Sequence, residues 1–482
     1  AMTGARFTEG STMRHVAVMT GSGAVRLMSL FLVDAANLFY ISLLGQAELA
    51  AAIGFAGTVQ FFLISVSIGL SIAATALVSR AVGAGERDRA RRLAGSSMVT
   101  LVAILALVAL GVWLARDEVL GVLGARGETL QIASRLLAIV LPGMPMLGIG
   151  MVGGGLLRAV GDARRAMLVT LGGGAIAAVL DPLFIFGFGL GVEGAAIVSV
   201  IARVSTALIG LVATAHVHRM VARPVPAHVL EDARGLLAIA GPAVATQVST
   251  PFGLAFLTNT MAQFGDEAVA GWAVVGRMTS LAFGGIFALS GAVGPILGQN
   301  LGAELYERIR LAYRDALIFA AAYVAVVWAA LALGAPHIAW AFGLTGAGVE
   351  VLETFAYVGA GAYAFTAALF VSNACFNNLG KPVRSTLFNW SRDAVAIPLL
   401  VLAAGSWLSA PGVVIVQAGA ALVVGTIAAV TAWRYVSGLE RGARIAAGLP
   451  VAAQAPFASR AAVAEIAPPA DAAPLAERGE RR

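Results

Sequence analysis

SIAATALVSRAVGAGERDRAR, at residues 71–91, and SGAVGPILGQNLGAELYERIR, at residues 290–310, are the two stretches that decide the fold of this chain. They lie 219 residues apart, and at this displacement a Gly-Ala pair and two arginines of each stretch coincide. LRAVGDARRAML at 157–168 falls on FNNLGKPVRSTL at 376–387 at the same displacement. Self-similarity at a fixed displacement indicates two copies of one structural unit.

The composition places both copies in a membrane. The 482 residues are 59% hydrophobic and 12% charged, whereas soluble domains carry about 25% charged residues. The strands of transmembrane barrels are about 10 residues of alternating polarity, and the apolar runs of this chain are much longer. The chain is therefore predicted to be an all-α integral membrane protein.

Apolar runs bounded by charges and by Gly or Pro clusters predict twelve transmembrane helices, since each span needs about 20 apolar residues. The predicted spans are 16–44, 52–79, 94–115, 131–157, 166–188, 192–215, 236–264, 270–298, 312–334, 350–377, 385–407 and 411–435. Six spans in each copy is an even number, so the two copies share one orientation and form a parallel repeat. Transporters use this architecture because two similar lobes can rock about a central cavity.

The spans and the charges together predict the domain organisation. It comprises a cytoplasmic N-terminal segment at 1–15, an N-terminal six-helix lobe at 16–216, a cytoplasmic linker at 217–235, a C-terminal six-helix lobe at 236–436 and a disordered cytoplasmic tail at 437–482. Basic residues gather in the loops after even-numbered spans, with Arg116 and Arg126 as exceptions. The positive-inside rule then predicts that both termini are cytoplasmic. The expected location is a bacterial-type inner membrane.

The chain lacks the motifs of nucleotide-driven transport and of catalysis. Its only lysine, Lys381, has no P-loop around it, and no GxSxG elbow or HExxH helix occurs. The single cysteine, Cys375, excludes an intramolecular disulfide and a CxxC metal site. We therefore expect neither enzyme activity nor a cofactor, and an ion gradient of H⁺ or Na⁺ as the energy source for transport.

Two carboxylates lie inside predicted spans, where an ionised group is costly. Asp34 lies well inside the first span, with Asn37 one turn later on the same helix face. Asp181 lies inside the fifth span, directly before Pro182, whose missing N–H frees a carbonyl. Burial disfavours the charged form of a carboxylate, so each could take up a proton near neutral pH. The alternative is a carboxylate satisfied by Arg26 or by a backbone donor.

Polar side chains inside the second copy are candidates for a substrate cavity. They are Gln247 and Asn259 in the seventh span, Arg277 in the eighth, and Asn373 and Asn377 in the tenth. Such groups are costly in lipid and face the interior, although interhelical hydrogen bonds explain them as readily as substrate contact. Arg392 and Asp393 are neighbours in the eleventh span. Since neighbours do not share a helix face, we expect them to pair with groups on other helices.

Five motifs together resemble the multidrug and toxic compound extrusion (MATE) family over residues 20–436. They are LVDAANLFYISLLGQAELAA at 32–51, VSRAVGAGERDRARR at 78–92, LRAVGDARRAML at 157–168, LDPLFIFGFGLGVEGAA at 180–196 and GPILGQNLGA at 294–303. The resemblance implies a V-shaped pair of six-helix lobes that exports organic, often cationic, compounds in exchange for H⁺ or Na⁺. It also implies that Asp34 and Asp181 meet as the coupling site, with the hydroxyl of Ser199 in the sixth span.

Three departures from the family pattern bear on coupling. Where the family often has Asn one turn before the fifth-span aspartate, this chain has Ala177. That removes an oxygen from a Na⁺ site at Asp34 and Asp181 and favours H⁺. Many relatives carry a proline deep in the first span, but no proline occurs between residues 1 and 141, so a proline-kink mechanism does not transfer. Acidic residues that one branch has in the seventh and tenth spans are missing, which places coupling in the N-terminal lobe.

A flippase of the same superfamily that moves lipid-linked sugars is the alternative. Such a flippase needs a cationic cavity for pyrophosphate, and Arg26 and Arg277 could supply the positive charge. A membrane glycosyltransferase would need a sizeable extramembrane loop with catalytic carboxylates, and a channel would need a filter. The expected partners are small organic substrates, cationic or amphipathic, and membrane lipid, without nucleic acid. The expected state is a monomer.

Overall fold

The structure is a computed structural model that describes residues 5–42 and 47–446. In these ranges the chain forms seventeen α-helices and no strand. The helices are α1 Thr12–Ser42, α2 Ala47–Gly83, α3 Arg87–Leu114, α4 Arg116–Val122, α5 Gly127–Val140, α6 Met144–Ala159, α7 Ala163–Pro182, α8 Gly191–Leu211, α9 Pro226–Ala262, α10 Asp266–Ala282, α11 Gly284–Gly302, α12 Tyr306–Ala341, α13 Gly346–Thr354, α14 Ala360–Asn378, α15 Pro382–Trp390, α16 Ile397–Ala404 and α17 Ala410–Ala446. Residues Ala1–Ser437 form one compact unit, and the described part of a second unit, Gly438–Arg482, is helical.

Most of these helices are long and apolar enough to cross a membrane. Within the described ranges, ten pass that test, and the number is eleven if α10 and α11, bent by 44°, form one span. Helix α9 is 37 residues long but lies outside the set, because Pro242, Gln247 and Pro251 lower its mean hydropathy. The structure thus confirms a helical membrane protein. The twelfth span stays a prediction.

Most helices begin before or end after the predicted apolar runs, and two of these differences bear on the predicted domain bounds. Helix α9 begins at Pro226, inside the predicted linker, because proline has the φ angle that the first turn of a helix needs. Helix α17 continues to Ala446, beyond the predicted end of the last span. Residues 447–482 of the predicted tail lie outside the described residues.

One hydrogen bond inside the first lobe has an equivalent in the second lobe, 219 residues further along the chain. In the first half, Ser71 Oγ donates to the carbonyl of Met151 at 3.0 Å. In the second half, Ser290 Oγ donates to the carbonyl of Phe370 at 3.4 Å. Each partner in the second bond stands 219 positions beyond its counterpart in the first. The bond joins α2 to α6 in the first lobe, and its equivalent joins α11 to α14 in the second.

The turns after these helices also correspond. Gly161 and Gly380 have φ angles of 82° and 84°, and both follow the last helix of a span. Gly85 has a φ of 75°, and its counterpart 219 residues on is Glu304, with a φ of 57°. A positive φ is uncommon outside glycine, so its presence at Glu304 reflects a turn geometry that the repeat imposes.

The lobes contact each other through α1, α2, α9 and α11, and the ends of α2 and α11 cross at a close approach that we call the seam. A Cβ atom on Gly83 would lie 2.0 Å from the carbonyl oxygen of Gln299, and one on Gly302 would lie 1.9 Å from that of Arg80. Only glycine permits two backbones to approach so closely. Gly83 and Gly302 are equivalent positions in the repeat, so each lobe contributes the same surface to the seam.

A short segment before α1 is bound across the seam. Phe7 lies in a 3₁₀ turn, Arg6–Thr8, and is 3% exposed. Its N–H donates to Gln299 Oε1 at 2.9 Å, and its carbonyl accepts from Arg308 Nη2 at 2.9 Å. The arginine-rich loops predicted to be cytoplasmic adjoin this end of the bundle, so the seam closes the predicted cytoplasmic side.

Candidate ion-coupling and substrate site

Asp181 is a buried carboxylate at the end of α7. It lies in the last turn of that helix, and 2% of its surface is exposed. Pro182 ends the α-helix, and one π-helical turn, Leu183–Gly187, follows. Turns of this kind are frequent at functional sites. An ionised carboxylate in such a place is costly unless it is paired or neutralised.

Helices α1 and α7 run side by side at this level. A Cβ atom on Gly174 of α7 would lie 3.5 Å from Cγ2 of Val33 in α1, which is ordinary van der Waals contact. Seven residues further along α1, the rings of Tyr40 and Phe186 meet edge to face with centroids 6.0 Å apart. These two contacts bracket the last third of α1 against the end of α7 and the π-helical turn that follows it.

Asp34 and Asn37 belong to the bracketed part of α1. Their backbones are helical, and their side chains lie outside the described part of the structure. Asp181 lies between the same two contacts on α7. The backbones of the two helices therefore bring the Asp34 stretch level with Asp181, and the meeting of the two carboxylates stays a prediction.

Ser199 is half-buried in α8, which packs against α7. One turn further, Arg203 donates to Gln60 Oε1 at 2.7 Å and to the carbonyl of Val140 at 3.1 Å. Sequence reasoning missed Arg203, although an arginine in the middle of a 27-residue apolar helix was a usable signal. A guanidinium in an apolar bundle needs such acceptors, and these bonds tie α8 to α2 and α5.

The polar candidates of the second lobe fall into two groups. Gln247 on α9 is half-buried, while Asn259 on α9 and Arg277 on α10 are exposed. Polar and ionisable side chains on membrane helices face the bundle interior or a water-filled cavity rather than lipid. These three residues remain candidates for substrate contact.

Asn373 and Asn377 form the second group, and both are buried. Asn389 Nδ2 donates to Asn373 Oδ1 at 3.0 Å, and Ser385 Oγ donates to Asn377 Oδ1 at 3.1 Å. The acceptors lie on α14 and the donors on α15, so these asparagines make interhelical hydrogen bonds. In this conformation their side-chain oxygens already have partners.

Arg392 and Asp393 differ from the sequence expectation, because they pair with each other. Arg392 Nε donates to Asp393 Oδ1 at 2.7 Å, and Nη2 donates to Oδ2 at 3.0 Å. The pair lies in a π-helical turn, Ser391–Ala396. The wider turn and the long arginine stem let the guanidinium reach back to its neighbour. Arg392 also approaches Thr250 Oγ1 on α9 at 3.4 Å, so one contact to another helix is present as expected.

The residues that the structure describes hold no group of three or more His, Cys, Asp or Glu side chains placed to bind a metal ion. Helices in two repeated lobes are typical of secondary transporters. A family model described as MatE matches residues 24–183 and, a second time, residues 242–402. The chain belongs to this family, the MATE transporters, as its motifs predicted.

Curated relatives include transporters of different named cargo. A protein of Shewanella oneidensis named FAD transporter is 29% identical over 395 residues, which is 80% of this chain and 86% of the relative. Multidrug export protein MepA of Staphylococcus aureus is 26% identical over 276 residues, which is 56% of this chain and 60% of that protein. The match thus spans less than two thirds of the staphylococcal protein.

Solved structures show the same fold. An outward-facing conformation of a multidrug resistance MATE family transporter has a TM-score of 0.85 at 23% identity, covering 91% of this chain and 99% of that one. A transporter of the same superfamily from Pyrococcus furiosus, whose binding pocket is described as reversed in polarity, has a TM-score of 0.84 at 23% identity, with 91% and 98% covered. At these identities the likeness concerns the fold.

Proposed function

We propose that this transporter is a secondary active antiporter that exports small organic compounds, cationic or amphipathic, in exchange for H⁺. In this proposal the two lobes alternate access to a cavity between them, in a bacterial-type inner membrane with both termini cytoplasmic. The protein acts as a monomer surrounded by membrane lipid. Asp34, Asn37, Asp181 and Ser199 carry the ion, and Gln247, Asn259 and Arg277 face the substrate.

The observation that carries the proposal is the buried carboxylate of Asp181 on a helix that packs along the Asp34 stretch of α1. Two carboxylates in one dry pocket titrate as a coupled pair. Uptake of a cation relieves their repulsion and shifts the packing of α1 on α7, so ion binding can bias the position of the lobe.

H⁺ is favoured over Na⁺ by the side chain one turn before Asp181. Ala177 is 9% exposed and its side chain offers no oxygen, whereas Na⁺, as a hard cation, is bound by several oxygen ligands. A proton needs only one carboxylate oxygen. The relatives named for multidrug export support a small organic cargo.

Efflux of ethidium from proteoliposomes tests the proposal. The full chain is reconstituted, and efflux is followed under an imposed pH gradient or an imposed Na⁺ gradient. Wild type is expected to respond to the pH gradient alone. Asp34→Asn and Asp181→Asn are expected to abolish efflux, because neither amide can exchange a proton near neutral pH.

Asp266→Asn is the matched control, since Asp266 is an exposed acid at the start of α10. It is expected to transport like wild type. Efflux driven by the Na⁺ gradient alone would replace H⁺ by Na⁺ in the proposal. If neither gradient moves any cation tested and both buried-site variants behave like wild type, the antiport proposal fails and a lipid-linked substrate becomes the better hypothesis.

A further inference from the structure

Two arginines line one small cavity where the lobes adjoin. Arg26 lies in the middle of α1, and Arg158 lies in the last turn of α6. The cavity has a volume of about 20 Å³, which is enough for one water-sized group. Its other walls are small or apolar, from Ala163 and Ala166 of α7 and Ala288 of α11. No acidic side chain lines it.

Neither guanidinium has a protein partner in the part of the chain that the structure describes. Both side chains are half-buried, and Nε of Arg158 is buried without a hydrogen bond. Nε of Arg80 is also without a hydrogen bond, but the terminal nitrogens of Arg80 and Arg203 donate to oxygen acceptors. The nearest acid in sequence, Asp162, already accepts hydrogen bonds from other residues.

Two like charges in such a place are costly without a counter-charge. Charged groups withdrawn from water need both an opposite charge and hydrogen-bond partners. The carbonyls at the end of α6 carry a partial negative charge that offsets part of the cost for Arg158. Arg26 lies far from the ends of its helix and has no such compensation.

We propose that Arg26 and Arg158 form an oxyanion site, which takes the oxygens of a phosphate or carboxylate group. Guanidinium groups bind such anions through two parallel N–H donors. The cavity has room for one oxygen atom of the group, while the remainder of the molecule stays outside it. Because the first lobe supplies both arginines and α11 of the second lobe supplies the facing wall, a bound anion contacts both lobes.

This site has a charge opposite to that of the Asp34 and Asp181 pocket. A cationic cargo is repelled from it, so its ligand is a different molecule or a different part of a cargo that also carries a phosphate or carboxylate. The anion comes either from a lipid headgroup or from a soluble compound, and the experiment separates these two sources. The oxyanion site is independent of the proposed antiport.

Thermal unfolding of the full chain in neutral detergent, followed by tryptophan fluorescence, tests the site. One arm adds inorganic phosphate, with chloride at the same ionic strength as reference. The other arm adds phosphatidylglycerol to the micelles, with phosphatidylcholine as reference. We expect the Tm of wild type to rise in at least one arm. Arg26→Gln and Arg158→Gln should need about tenfold more anion for the same rise, since each loses charged hydrogen bonds.

Without the anion, the variants should be more stable than wild type. In chloride and phosphatidylcholine, both glutamine variants should have a higher Tm than wild type, because one of two repelling charges is gone. Arg164→Gln removes an exposed arginine outside the cavity and should respond like wild type. If a glutamine variant fails to fold, Arg26→Lys and Arg158→Lys keep the charge, lose the fork and should show an intermediate response.

A rise in phosphate assigns the site to a soluble anion, and a rise in phosphatidylglycerol alone assigns it to a lipid headgroup. The proposal is overturned if wild type responds in neither arm, or if the glutamine variants respond with wild-type midpoints. Ethidium efflux is not used as a readout, so failure of the oxyanion site and failure of antiport remain distinguishable.

Discussion

Arg80 and Gln299 stand at equivalent positions of the repeat, and each donates a hydrogen bond to a carbonyl of the opposite lobe. Arg80 Nη2 donates to the carbonyl of Asn378 at 2.8 Å, and Gln299 Nε2 donates to the carbonyl of Ala159 at 2.6 Å. The two donors stand 219 residues apart, and so do the two acceptors. Each lobe therefore gives the other the same bond, and the seam is held by a pseudo-symmetric pair.

In the proposed alternating access, the seam is one of the contacts between the lobes that must open on the predicted cytoplasmic side. Two directional bonds and two glycine contacts close it in the present conformation. An alternating-access transporter needs two states that differ by a few kcal/mol, so that ion and substrate can shift the population. The bonds of Arg80 and Gln299 are of that size, since each contributes about 0.5–1.5 kcal/mol net.

Removing either donor should shift the population toward the state with an open seam. We expect Arg80→Ala and Gln299→Ala each to raise the labelling rate of a cysteine at Ser79 about two- to tenfold, from the loss of one bond. Ser79 is fully buried against Gly298 of the other lobe. The measurement is N-ethylmaleimide labelling of Ser79→Cys in membranes, with Cys375→Ser as background. Unchanged rates in both variants would show that the bonds do not hold the seam.

The glycine crossing should be less tolerant than the hydrogen bonds. A methyl group on Gly302 would lie 1.9 Å from a carbonyl oxygen of the other lobe, and one on Gly83 would lie 2.0 Å from its counterpart. We expect Gly83→Ala and Gly302→Ala to prevent full closure and to reduce ethidium efflux at least tenfold. Gly57→Ala on α2 is the matched control, because its added Cβ meets nothing within 4 Å. Normal efflux from Gly302→Ala would remove the crossing from the transport cycle.

Asp162 links the stability of the first lobe to acid pH. Its carboxylate accepts from Arg165 N at 3.1 Å, from Arg165 Nη1 at 2.6 Å and from His218 Nε2 at 2.8 Å. Burial alone raises the pKa of Asp162, but the hydrogen bonds from Arg165 and His218 outweigh it and hold that pKa below its usual value. A lowered folded-state pKa adds stability above the unfolded pKa of about 3.9, and this is lost as the pH falls through the folded value.

The corresponding variant is Asp162→Asn. It should have a lower Tm than wild type at pH 7, and the difference should shrink as the pH falls below about 4. Thermal unfolding over a pH series gives both quantities, with the exposed Asp266→Asn as a control that shows no such trend. A difference in Tm that is constant from neutral to acid pH would rule out this linkage.

The Arg392 and Asp393 pair should behave as a buried ion pair. Asp393→Asn leaves a buried guanidinium without its counter-charge, and breaking such a pair costs about 3–5 kcal/mol. Arg392→Met combined with Asp393→Asn removes both charges and should recover most of the lost Tm. Glu86→Gln, which breaks the exposed pair with Arg89, should cost no more than about 1 kcal/mol. A double variant as unstable as the single one would contradict this account.

The fold could be predicted from the sequence because long apolar runs indicate membrane helices, and glycines and arginines that recur at a fixed displacement indicate the repeat. The reciprocal bonds of Arg80 and Gln299 could not be predicted, since hydropathy carries no information about which carbonyl a side chain reaches. The self-pairing of Arg392 and Asp393 depends on a local π-helical turn that an ideal helix wheel does not contain. Arg158 looked like an ordinary loop arginine, and only the structure brings it to the same cavity as Arg26.

Only some residues of the candidate site could be predicted from the sequence. Asp181 could be found because a carboxylate within an apolar helix is costly and rare. Asn373 and Asn377 satisfied the same criterion and are bonded to α15 instead. A polar residue in a span signals an interior position, and its partner decides between packing and transport.

Proton release on substrate binding tests the central claim most directly. Ethidium is added to the purified protein in weakly buffered detergent near neutral pH, and the pH change is recorded for wild type, Asp34→Asn and Asp181→Asn. If these two carboxylates exchange H⁺ for the cargo, wild type releases protons and each variant releases fewer. Equal release from all three proteins, or binding of ethidium by wild type without any release, would contradict proton coupling through these two residues.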